Sequence, residues 1–178
     1  MRVFFGLELD TSTTLALSDW RDRQFSVAAR PVPPANFHIT LAFIGELSEP
    51  ALERLCLSVD EWLARSPVRG GQFALDHSGY WHKPGIYWLG PQVWPEQLSR
   101  LATKLKGLAT SVGGKRDRNP FQPHVTLFRR CTMAPPAPTT MPAFAVTYSH
   151  FTLFESRPGK QGVSYHSIHD WELLAPPQ

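Results

Sequence analysis

The sequence predicts an α+β protein in which helices cover antiparallel or mixed sheets. Two observations carry this: strand-like runs outnumber three helical stripes along the chain, and a His-x-Thr-Leu tetrad opens two of those strands. With 178 residues, 42% hydrophobic and 19% charged, the composition is that of an ordinary globular protein, able to bury a sizeable core. Disordered and fibrous classes are excluded. A single domain over residues 1–178 is expected, as one body or as two small lobes sharing a core.

Val3 to Leu9 is apolar and β-prone, and Thr11 or Ser12 is placed to cap a helix running to about Gln24. Prolines 31, 33 and 34 stiffen the connection to a strand at Phe37–Gly45. Ser48, Glu49 and Pro50 start a second helix, whose stripe of Leu52, Leu55, Val59, Trp62 and Leu63 should lie on a sheet. Gln72–His77 and Ile86–Leu89 read as strands that pair with each other across Gly79 and the Pro84-Gly85 turn. A third helix starts at Trp94-Pro95, buries Leu98, Leu101, Leu105 and Leu108, and stops at Gly113-Gly114. After the loop Lys115–Pro123 come strands at His124–Arg130, Phe144–Phe154 and Val163–Leu174, the last two joined by a hairpin turn at Arg157–Gly162.

Two cysteines, Cys56 and Cys131, have neither CxxC nor zinc spacing, and Met1–Asp10 lacks the features of a signal peptide. A reduced, cytoplasmic protein is the plain expectation, and no stretch approaches a membrane span. The net charge of +3 conceals an asymmetry. Residues 1–89 hold 8 basic and 10 acidic side chains, whereas residues 90–178 hold 10 and 5. The basic excess concentrates between Arg100 and Arg130, just before and within the second motif strand, where an anionic partner would feel it.

The two motifs are Phe37-His38-Ile39-Thr40-Leu41 and Pro123-His124-Val125-Thr126-Leu127, each following a proline-containing loop. Strand alternation puts His and Thr on one face and the apolar pair on the other. If the two faces oppose, two imidazoles and two hydroxyls meet. Such a site suits displacement at an anionic phosphorus: one neutral imidazole takes a proton from water while the other, as imidazolium, gives one to the leaving oxygen. The hydroxyls of Thr40 and Thr126 can hold non-bridging phosphate oxygens. A metal site is disfavoured, because neither unit brings a third or fourth ligand at a familiar spacing.

The ordered set of motifs resembles the 2H phosphoesterase superfamily, and within it the bacterial RNA 2′,3′-cyclic phosphodiesterase branch, also called 2′-5′ RNA ligase or LigT-like. The resemblance spans Arg2–Leu9, Asn36–Gly45, Val93 into the third helix, Pro120–Arg129 and Phe151–Tyr165. It implies a bilobal fold with an internal pseudo-twofold, one motif per lobe, an active-site cleft between them, and no metal or nucleotide cofactor. It further implies His38 as proton donor to the leaving 3′ oxygen, His124 as the base that activates water, and Thr40, Thr126 and Arg129 as phosphate-binding residues. The implied substrates are RNA with 2′,3′-cyclic phosphate ends, or 2′,3′-cyclic nucleotides, opened to 2′-phosphates, with 2′-5′ ligation as the reverse. Neither a membrane nor a protein partner is implied.

Strict alternation puts Arg130, not Arg129, on the His124 face, so a bulge near Phe128 is required for Arg129 to reach it. His77, His82, His150, His166 and His169 lack a duplicated context and read as surface or structural. Phe4 and Phe5 straddle a strand, which puts one in the core and offers the other to the cleft, but core packing is the expected role of both, as it is of Trp81, Trp88 and Trp94. Lys115, Arg116, Arg118, Arg157 and Lys160 are candidates for a phosphate-backbone track. A second reading of the same features is a non-catalytic RNA-end binding module using the same cleft.

Overall fold

The computed structural model describes residues 1–26 and 29–176. In chain order the elements are β1 (Arg2–Glu8), α1 (Thr11–Gln24), β2 (Arg30–Pro31), a 3-10 turn (Pro34–Asn36), β3 (His38–Glu46), α2 (Glu49–Arg65), β4 (Gly71–Leu75), β5 (His77–Trp81), β6 (Ile86–Gly90), α3 (Glu96–Ser111), β7 (Val125–Arg129), β8 (Phe144–Tyr148), β9 (His150–Arg157) and β10 (Ser164–Glu172). They form two four-stranded antiparallel sheets, ordered β10-β9-β1-β3 and β2-β7-β6-β5, plus a two-stranded β4-β8 ribbon. The α+β, two-lobed expectation therefore holds, with one motif strand in each four-stranded sheet.

Three local expectations are corrected. The cap of α1 is Asp10, whose carboxylate accepts from the Thr13 amide at 2.7 Å, rather than Thr11 or Ser12. A carboxylate next to the positive helix end is the stronger acceptor, and this contact holds the Asp10 pKa below its ordinary value. The Gln72–His77 run does not pair with Ile86–Leu89; β4 pairs with β8, and it is the unforeseen β5 that pairs with β6. The run Phe144–Phe154 is two strands, separated at Ser149, one in the ribbon and one in the first sheet.

The helices cross between lobes. The connection from β1 toward β3 carries α1, yet α1 reaches the other lobe: Trp20 meets Phe144 of the β4-β8 ribbon, Arg21 donates to the Leu127 carbonyl of β7, and Phe25 at the helix end packs against Tyr87 and Phe128. Conversely, α3 connects β6 to β7 and lies against β3 of the first sheet, beside α2. Each lobe's connecting helix thus completes the other lobe's core, and one continuous apolar core runs through both, including Phe5, Ile39, Leu55, Leu98, Leu101 and Val125.

Candidate active site

Both motifs fold in the same way. In β3 the buried residues are Ile39, Leu41, Ala42 and Ile44, leaving His38, Thr40 and Phe43 on the other face. Thr40 pairs with Gly6 and Ala42 with Phe5, so Leu41 is an extra residue in the ladder. In β7 the buried residues are Val125, Leu127 and Phe128; Thr126 pairs with Trp88 and Phe128 with Tyr87, so Leu127 is the extra residue. Each motif therefore carries a bulge immediately after its threonine. The bulge in β7 returns Arg129 to the His124 and Thr126 face, which resolves the conflict with strict alternation. Arg130 instead ends the strand with a positive φ of 57°.

The two imidazoles are tethered alike. His38 Nδ1 lies 2.8 Å from the Asn36 carbonyl oxygen, and His124 Nδ1 lies 2.7 Å from the Gln122 carbonyl oxygen. A carbonyl only accepts, so Nδ1 carries the proton in both rings and Nε2 is left as the exchanging nitrogen. His38 Nε2 is 3.0 Å from Thr40 Oγ1. The motif strands approach each other across the sheets, and the charges of His124 and Arg129 are both felt at His38. Burial is the main reason the His38 pKa is lowered to about 4, reinforced by the positive charge of His124 and Arg129 and opposed by the Asn36 carbonyl. His124 is lowered for the same principal reason, with Arg129 adding to the effect and the Gln122 carbonyl opposing it. In both rings burial thus favours the neutral imidazole.

Aromatic walls surround each histidine. Phe4, Tyr165 and Phe154 lie 4.9, 4.8 and 6.3 Å from the His38 ring. Trp81 and Trp88 lie 4.6 and 5.9 Å from the His124 ring. Phe4 and Phe5 are both buried, at 3% and 0% exposure, as expected, and Phe4 also packs against the His38 ring. Trp88 is buried as expected, but Trp81 is an exposed wall of the His124 side. A cavity of about 400 Å³ opens beside His38, lined by Pro34, Asn36, Phe154, Tyr165 and Glu8 among others.

Sequence reasoning missed Arg30, Tyr165 and Arg21. Arg30 pairs directly with Arg129 across β2 and β7, so two guanidinium groups share one face. Like charges opposite each other are unfavourable unless an anion is shared. The Arg30 guanidinium also lies against Gly162 in the β9–β10 turn, and Asn36 Nδ2 donates to Val163 O at 2.8 Å, bringing that turn over the cleft. Arg21 of α1, only 3% exposed, donates to the carbonyls of Val32 and of the bulged Leu127, with its guanidinium between the Phe37 and Phe128 rings. It ties the approach to the first motif to the bulge of the second. None of these three has a local motif; their placement comes from long-range pairing.

Of the remaining histidines, His150 lies 3.7 Å from Glu8 and His169 packs on Trp171, both outside the motif pair. The basic segment is partly neutralised: Arg100 pairs with Glu96, Lys106 with Asp117, and Lys104 sits over Trp62. Arg157 pairs with Glu155.

A duplicated α+β fold that brings one His-x-Thr unit from each half onto strands of two sheets that approach each other is the architecture of the two-histidine phosphoesterases. The family described as "LigT like Phosphoesterase" matches the chain twice, over residues 8–88 and 89–165, one motif in each match, and the chain belongs to this family. It is 34% identical to the RNA 2′,3′-cyclic phosphodiesterase of Escherichia coli K12 over 175 residues, covering 97% of this chain and 96% of that protein. The Thermus thermophilus protein of the same name is 30% identical, with 97% and 90% covered. A crystal structure of E. coli LigT complexed with 3′-AMP superposes with a TM-score of 0.85 at 31% identity, covering 97% of each chain.

Proposed function

We propose that this protein, acting as one unit over residues 1–178, opens RNA 2′,3′-cyclic phosphodiester ends to 2′-phosphomonoesters without a metal. The observation that carries the reading is the pair of identically tethered histidines, each presenting Nε2 from a His-x-Thr strand of its own sheet. Relatives named RNA 2′,3′-cyclic phosphodiesterase cover the chain nearly end to end. His124 Nε2 takes a proton from water as its oxygen bonds to phosphorus. His38 Nε2 gives a proton to O3′ as the P–O3′ bond breaks, leaving a 2′-phosphate and a free 3′-hydroxyl. The phosphate, held by Thr40, Thr126 and Arg129, raises the depressed His38 pKa on binding, which supplies the acid form where it is needed.

The cavity beside His38 is where the terminal nucleoside fits, because the leaving O3′ belongs to that nucleoside and His38 is the group that protonates it. Reversal of the same steps, with an RNA 5′-hydroxyl in place of water, would join ends through a 2′-5′ bond. A cytoplasmic setting agrees with the free thiols of Cys56 and Cys131. Among the described residues, no helix is long and apolar enough to cross a membrane. The test is incubation of cyclic-ended RNA and free 2′,3′-cyclic nucleotides with the protein in excess EDTA. A 2′-phosphate product is expected. A 3′-phosphate, or abolition by the chelator, would contradict the mechanism, and binding without turnover would favour an RNA-end binding module.

A further inference from the structure

The two bulged strands are equivalent position by position, which makes their one unlike outward residue informative. Counting from each histidine, Thr40 matches Thr126, the bulged Leu41 matches Leu127, and Phe43 occupies the position of Arg129. In the second lobe this position carries the phosphate-facing arginine. In the first it carries a phenylalanine that is 57% exposed, on the same strand face as His38 and Thr40. One side of its ring is supported by Phe4 at 6.2 Å, itself in contact with His38. An exposed ring held on a rigid strand beside a reaction centre is a stacking surface.

A second observation puts cations at the end of the same strand. Gly45, two residues on and with φ of +88°, turns the end of β3 so that the Ile44 carbonyl accepts the Lys115 amide at 2.8 Å. A Cβ built on Gly45 would meet the Lys115 Cβ at 3.8 Å, so the Lys115 side chain starts at the Gly45 end of β3, two residues past Phe43. The loop that follows carries Arg116 and Arg118, both exposed. Lys106, by contrast, is engaged with Asp117. Lys115, Arg116 and Arg118 thus follow directly on the tether to β3. Aromatic faces alternating with exposed cations are how proteins hold single-stranded nucleic acid without reading its sequence.

We propose that Phe43 and the Lys115–Arg118 loop form a second RNA subsite. There a base upstream of the reacting phosphate stacks on the Phe43 ring, and Lys115, Arg116 and Arg118 hold the backbone phosphates. The inference rests on the proposed reaction for its direction along the RNA, and it makes a longer single-stranded RNA a better substrate than a cyclic mononucleotide.

The experiment compares kcat/KM on a 2′,3′-cyclic mononucleotide with that on an unstructured, cyclic-ended decamer, for the parent, Phe43→Ala, Phe43→Tyr and Lys115→Glu/Arg116→Glu. The decamer-to-mononucleotide ratio should fall about tenfold in Phe43→Ala and in the charge-reversed variant, and return in Phe43→Tyr. The salt dependence of the decamer rate should flatten in the charge-reversed variant. An unchanged ratio in Phe43→Ala would overturn the subsite. Binding of a fluorescein-labelled decamer, followed by anisotropy, reads the same subsite without turnover. If the parent opens neither substrate, the proposed reaction fails; an anisotropy titration about tenfold weaker in Phe43→Ala would still support the subsite, and an unaltered one would overturn it.

Discussion

The first motif strand and the second are built to the same plan and surrounded differently. Both tether Nδ1 of histidine to a carbonyl two residues earlier, and both bulge at the leucine after threonine. Around this shared frame, Thr40 has Gly6 as its cross-strand partner where Thr126 has Trp88. Glu8 stands opposite His38, beside an open cavity. The matching strand end in the second lobe is Gly90, where any side chain would run into the Pro123 carbonyl oxygen, 2.4 Å from a built Cβ. In the proposed reaction the duplicated part supplies acid and base, each an imidazole that presents Nε2. In the same proposal the unlike part orients the substrate, since the cavity opens beside His38 whereas Trp81 and Trp88 flank His124.

The comparison breaks most severely if either histidine is removed. His38→Ala and His124→Ala should each lower the rate of cyclic phosphate opening by at least about 10²-fold, measured by product formation at saturating substrate. A variant retaining parental rate would end the acid–base assignment for that residue.

Next in size is the contrast between adjacent arginines. Arg129→Ala should cost about 10–100-fold in kcat/KM, while Arg130→Ala, beyond the bulge, should stay within about twofold. The reverse order would mean that the bulge does not set which guanidinium meets the phosphate.

The third contrast concerns stability. Gly90→Ala should lower the free energy of unfolding by about 1–3 kcal/mol through collision with backbone, whereas Glu8→Ala, at a half-open edge, should change it by less than about 0.5 kcal/mol. Denaturant midpoints of the two variants check this.

The last contrast concerns pH dependence. Burial depresses both histidine pKa values below 6.5, His38 to about 4. The unfolded chain therefore takes up protons at a pH where the folded chain does not. Stability is complete above pH 6.5 and declines as pH falls from 6.5 toward about 4, where His38 also titrates in the folded state. Urea midpoints across that range should fall less steeply for His38→Asn/His124→Asn than for the parent.

The parts legible in the sequence were those with local signals. The tetrads, the helix stripes and the Arg157–Gly162 hairpin turn follow from periodicity and turn chemistry, while the need for a bulge beside Phe128 follows from strand alternation only once the family resemblance picks out Arg129. Helix α1 was legible, but its cap was not, because Asp10, Thr11 and Ser12 are all cap-forming residues and only geometry selects among them. Pairing of β4 with β8 was invisible for a different reason: α3 and the whole second motif strand lie between the partners, while β5, with Gly79 at its centre, carries too little β-propensity to announce itself. The Arg30–Arg129 pair, the Tyr165 wall and the Arg21 clamp arise from contacts between distant segments that no spacing encodes. The crossing of α1 and α3 between lobes is likewise a tertiary choice.

The central claim is that two equivalent histidines perform opposite proton transfers. A cyclic substrate with sulfur in place of O3′ tests it directly, because a thiolate leaves without needing a proton. On that substrate, His38→Ala should recover to within about tenfold of the parent while His124→Ala remains at least about 10²-fold slow. Recovery of His124→Ala instead, or of neither variant, would contradict the assignment of His38 as acid and His124 as base.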